Sequence, residues 1–254
     1  MSLLLPAIGL GCFFVASLVV GLRLLALWWH TRQLPELAIG TAFLFGGAFG
    51  FVPVIAASLF PELPPPVDHV LVGVCLLALD VGAGALWLVT WRVFRPDQGW
   101  ARGLFLAAMA LLLVSYVGQG LEHGFSMAMY RERNGLFWLG LGTRASGFAW
   151  GAVEAFLCHV ALRRRARVGL AARADVYGLL AWAIALFATW LMFVGSGLGL
   201  LLRGTTASTP IILLQSVAGL VAALACVLTF VPPPWYRRWL EGPGHEAAAE
   251  ASHG

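Results

Sequence analysis

Seven stretches of this chain are apolar for about the 20 residues that a helix needs to cross a bilayer: 3–29, 37–60, 70–91, 103–125, 137–162, 176–202 and 210–231. Inside hydrocarbon a backbone must satisfy its own N–H and C=O groups, so such stretches fold as helices. The links between them, among them 61–68, 94–102 and 163–175, are short and rich in proline, glycine or arginine, and none can hold a soluble domain. The expected fold class is therefore an all-α membrane protein, a seven-transmembrane-helix bundle over residues 1–231. Residues 232–254, opening Pro232-Pro233-Pro234-Trp235, read as a cytoplasmic juxtamembrane anchor and a disordered tail. Composition agrees, with 60% hydrophobic and 11% charged residues against roughly 25% charged in soluble domains.

Direction comes from the arginines, which supply all 16 basic residues because lysine is absent. The first, third and fifth links and the tail carry Arg32, Arg92, Arg95, Arg102, Arg163, Arg164, Arg165, Arg167, Arg173, Arg237 and Arg238. The other links carry Arg131, Arg133 and Arg203. Positive charge marks the cytoplasmic side, which puts the N-terminus outside and the C-terminus in the cytoplasm. Trp28, Trp29, Trp91, Trp100, Trp235 and Trp239 fall beside the same boundary, where indole rings settle. Topology thus accounts for the net charge of +4, and no nucleic-acid partner is expected. Arg23, inside the first span, reads as a snorkelling side chain. The arginine-only basic set, with the Ala, Gly and Leu load, fits a GC-rich bacterial genome and hence a bacterial inner or plasma membrane. The first span lacks a basic leader and is expected to be retained. Cys12, Cys75, Cys158 and Cys226 all fall in apolar stretches and read as buried small hydrophobes rather than disulfide partners.

Chemistry has few places to reside. In the fifth span Arg144, Gly147, Gly151, Glu154 and Cys158 recur at spacings of three and four, which puts them within about 80° of one another on a helix. Gly147 and Gly151 on that face allow close helix approach, so it should look into the bundle. His159, one residue out of phase, reads as interfacial. The fourth span carries Ser115, Gln119, Glu122 and Ser126 at i, i+4, i+7 and i+11, with Tyr116 and His123 beside them, at the depth of Arg144. Asp80 lies near the middle of the third span, where an unpaired carboxylate costs about 2.5–3.5 kcal/mol. One arginine cannot neutralise Asp80, Glu122 and Glu154 together, so at least one of Asp80 and Glu154 is expected to hold a proton. The second span, with Gly40, Gly46, Gly47, Gly50 and Pro53, reads as close-packed or kinked, and Ser196, Gln215 and Ser216 could add polar lining.

Three functions compete with a purely structural register lock. The leading one is a receptor-like sensor or small-molecule or lipid-binding protein. Its outward-facing pocket would use Asp80, Tyr116, Gln119, Glu122, His123, Arg144 and Glu154, with Arg144 anchoring an anion. Its partners would be the lipid bilayer, the small-molecule or lipid ligand, and a cytoplasmic signalling protein. The second is a proton-coupled transporter or channel relaying protons through Asp80 and Glu154. The third is a redox protein with two haem-ligating pairs, His69 with His123 near the outer surface and His30 with His159 near the inner. No metal or cofactor is otherwise expected. The span number and direction resemble microbial rhodopsins, but without lysine no retinal Schiff base can form. A single membrane aspartate, the lack of HExxH and the poor match of Gly195-Ser196-Gly197 to a rhomboid motif leave no intramembrane protease, and no enzyme is expected.

Overall fold

The computed structural model describes residues 4–51, 64–126, 129–205 and 208–241, and these form helices and connections without a strand. The helices are α1 (Leu4–Thr31), α2 (Leu34–Thr41), α3 (Pro65–Val89), α4 (Gly99–His123), α5 (Met129–Glu132), α6 (Gly135–Ala166), α7 (Arg173–Arg203), α8 (Thr209–Phe230) and α9 (Pro234–Glu241). The chain after α2 continues as a π-helix, Ala42–Ala48, and a 3₁₀ turn, Phe49–Phe51; α3 ends in a π-helical Thr90–Phe94. Among the described residues, six helices, α1, α3, α4, α6, α7 and α8, are long and apolar enough to cross a membrane. The protein is thus a multi-pass helical membrane protein. The other expected span, 37–60, corresponds to the shorter apolar helix Leu34–Ala48 and its 3₁₀ turn. The rest of it, with Pro53, lies outside the described residues, as do 242–254, where the disordered tail was expected.

α1 packs against α8 on one side and α2 on the other; α2 and its π-helix lie along α3; α3 meets α6, α6 meets α7, and α7 meets α8. These contacts close a ring, and α4 lies outside it against α3 and α6. Glycines set the tightest crossings. A Cβ on Gly219 would come within 2.9 Å of the Gly9 carbonyl oxygen, and one on Gly82 would meet the Gly46 backbone nitrogen. Small residues at such points let backbones touch where lipid supplies no hydrophobic drive for association. At α6 the predicted face is buried at Arg144, Gly147, Gly151 and Glu154, whereas Cys158, at its far end, is half-buried.

Helix ends follow local chemistry. α4 stops at His123 rather than 125 because Gly124 adopts a left-handed φ of 58° and its N–H caps Gly120 O at 3.0 Å. Asn134 caps α6, its Oδ1 accepting from the Phe137 N–H at 2.9 Å. The arginines of the α3–α4 and α6–α7 connections and of α9 gather at one end of the ring. There Trp239 of α9 meets the Tyr177 ring at 4.9 Å, and the Arg173 guanidinium lies 4.9 Å from the Trp239 centroid. Burial beside Tyr177 holds the Tyr236 phenol above its ordinary value.

The cysteines correct one expectation. Cys75 and Cys226 are buried, but Cys158 is half-buried and Cys12 is exposed. On a lipid-facing helix an apolar neighbourhood in sequence does not imply burial in protein. Arg23 is exposed on α1, where a long side chain can reach out of the apolar layer.

Candidate functional site

The ring surrounds a partly open cavity of about 630 Å³, within the roughly 300–1,000 Å³ of small-molecule sites. Its wall is mostly aliphatic and aromatic, with Phe13, Leu76, Leu86, Phe148, Phe193 and Leu200 among the lining side chains. Towards the arginine-rich end it is floored by Phe43 and Trp182, whose ring centroids lie 5.7 Å apart; Phe230 packs against them at 5.6 and 5.3 Å. At the other end the short α5 contributes Met129 and Tyr130 to the lining. Arg133, next to α5, reaches the C-terminal turn of α7, where its Nη1 donates to Leu200 O. A cation there complements the negative end of the helix dipole.

The polar side chains of the wall are mostly bonded within the protein. The Cys75 thiol donates to Gly50 O at 3.1 Å, Thr189 Oγ1 to Ala185 O at 2.9 Å, and Ser196 Oγ to Met192 O at 2.9 Å. Gln215 Nε2 donates to Ser196 Oγ at 2.7 Å, joining α8 to α7. Ser196 and Gln215 therefore do line the interior as expected, whereas Ser216 turns its hydroxyl back to Ile212 O. Tyr130 packs on Phe137, and burial, with Cys75 nearby, pushes its phenol up to about 12 against the opposing pull of Arg144.

Arg144 is the charged residue of the lining among the described residues. It is 6% exposed, and its Nε donates to Asp80 Oδ1 at 2.7 Å across the α3–α6 contact. Nη2 of Arg144 and Oδ2 of Asp80 have no hydrogen-bond partner.

The remaining expected site residues do not join this pair. Glu154 bonds a different arginine: Arg95 Nε, from the α3–α4 connection, donates to its Oε1 at 2.9 Å and Oε2 at 3.0 Å. Trp150 Nε1 adds a bond to Oε1 at 3.2 Å. The carboxylate holds the Arg95 proton still more firmly than usual, by hydrogen bond and by charge. Glu122 is exposed and accepts from Asn134 Nδ2. Each of the three carboxylates thus has its own partner, which removes the premise that one arginine must serve them all. Sequence reasoning missed Arg95 because it counted the residue as a loop charge and looked for partners only within spans.

The polar stripe of α4 stays outside the cavity. Gln119, 1% exposed, donates to Ser115 Oγ at 2.7 Å, and Ser115 to Leu136 O at 2.8 Å, a seam between α4 and α6. Tyr116 donates to Gly73 O at 3.4 Å and packs on Phe125. His123 bonds Glu132 of α5 through Nε2 at 2.9 Å. His159, expected at the interface, is buried at 6% exposure and bonds Val176 O at 2.8 Å, because α7 starts against that turn of α6. His30 bonds Ala26 O within its own helix. Among the described residues no group of three or more His, Cys, Asp or Glu is placed to hold a metal.

Compared with known proteins, the chain matches no family model, no curated protein and no solved structure.

Proposed function

We propose that this multi-pass membrane protein binds a small molecule or lipid in the cavity of its helix ring, as a receptor-like sensor with its N-terminus outside. The observation that carries the reading is the combination of size, apolar wall and one buried guanidinium, the arrangement expected of a site that encloses an apolar body and orients it by a polar group. Arginine asymmetry supports the direction: the α5 end of the cavity faces outward and the floor faces the cytoplasm. The arginine-rich end would then meet a cytoplasmic signalling partner, and the membrane would be a bacterial inner or plasma membrane. Of the expected site residues, Arg144 and Asp80 carry this role, whereas Tyr116, Gln119, Glu122, His123 and Glu154 support the bundle around it.

Native mass spectrometry of gently extracted protein tests the reading, with wild type beside Ala185→Trp, which fills the cavity from α7. A defined extra mass on the wild type that the variant lacks is the expected result. Equal adducts on both, or none on either, would count against an occupied cavity.

A further inference from the structure

We infer that the group Arg144 receives is a neutral hydrogen-bond acceptor, such as the carbonyl of an ester, amide or quinone, at the head of an apolar molecule. This rests on the ligand-binding reading and revises the anion expected from sequence. Arg144 brings no net charge to the cavity, because Asp80 bonds its Nε at 2.7 Å and the two side chains are only 7% and 10% exposed. An anion added beside that dry pair would leave the site with an uncompensated negative charge. Asp80 Oδ2, buried behind the guanidinium, already lacks a donor. Among the described lining residues there is no second cation to offset it.

Donors are nevertheless available at Arg144. A guanidinium has five N–H groups; Asp80 takes the one on Nε, and Nη2 is buried without a partner in a residue that lines the cavity. Of the other polar side chains of the wall, Cys75, Thr189, Ser196 and Gln215 already direct a donor to protein oxygens. An acceptor on the ligand meets its charged donor at Arg144, the guanidinium among the described lining residues. The rest of the molecule lies against aliphatic side chains and the Phe43–Trp182 floor.

Two probes that differ in the charge of the head test this: ω-bromolaurate and its methyl ester, with bromododecane as the headless control. Bromine quenches tryptophan, and Trp182 lines the cavity, so the quenching that disappears in Trp182→Phe reports cavity binding by the detergent-solubilised full chain. The expected result is saturable, Trp182-dependent quenching in which the methyl ester binds about tenfold tighter than both the carboxylate and bromododecane. Asp80→Asn, which leaves the guanidinium uncompensated, should raise carboxylate affinity about tenfold and move the ester far less. A carboxylate that binds wild type more tightly than the ester would overturn the inference and leave the ligand-binding reading standing. So would equal binding of all three probes. Absence of Trp182-dependent quenching with every probe would overturn the ligand-binding reading itself. The wild-type comparison decides the matter even if Asp80→Asn fails to fold.

Discussion

Arg144 and Glu154 share a face of α6 but draw partners from different parts of the chain, Asp80 within α3 and Arg95 in the connection beyond it. A buried pair of this kind contributes less than its loss costs, since removal of one member strands the other. Arg144→Met should therefore destabilise by about 3–5 kcal/mol, and Arg144→Met/Asp80→Leu should recover most of that. Denaturation of the purified protein in mixed detergent reads both; a double variant no better than the single one would show that the pair's geometry, not its charge, is what matters. Tyr130 gives a second prediction. Its phenol loses its proton near 12 when folded and near 10.0 otherwise, so above pH 10.0 the unfolded chain holds fewer protons and stability falls as pH rises through about 12. The loss, ~1–3 kcal/mol, should vanish in Tyr130→Phe when thermal midpoints are compared across that window. The inward face of α6 was legible from spacing alone. Arg95 was not, because a loop residue far away in sequence leaves no periodic trace of its contact.

At the level of elements, the glycines of the second span announced close packing, and its described part is close-packed. Gly40 lies 3.1 Å from the Leu25 side chain as a Cβ would meet it, and Gly46 lies against Gly82. The π-helix over Ala42–Ala48, packed between α1 and α3, was not legible, since nothing in its local sequence marks the change from α-helical hydrogen bonding. Gly82→Ala should cost about 1–3 kcal/mol because the clash is with backbone that cannot rotate away. Gly103→Ala on α4, where nothing lies within 4 Å, should be neutral or add up to ~1 kcal/mol. Parallel thermal melts check the contrast. The α4 stripe shows the limit of such reading: Ser115 and Gln119 do recur on one buried face, but a polar stripe marks a contact and does not say whether a ligand or another helix makes it.

For the whole molecule, span number and direction rest on composition, whereas the cavity depends on which helices are neighbours, and no single segment encodes that order. Reporter fusions test the direction. A fluorophore that matures only in the cytoplasm should light up after residue 241, and a phosphatase active only outside should work after residue 205. The opposite pattern would invert the protein and turn the α5 end of the cavity inward.

The ring closes where α1 meets α8, the first against the last of the spanning helices among the described residues. During synthesis α1 must therefore wait, its Gly9 surface bare to lipid, until the final span leaves the translocation machinery. Until then the chamber has a missing wall and is open to the surrounding lipid. Arrival of α8 thus completes the chamber as well as the fold of the ring.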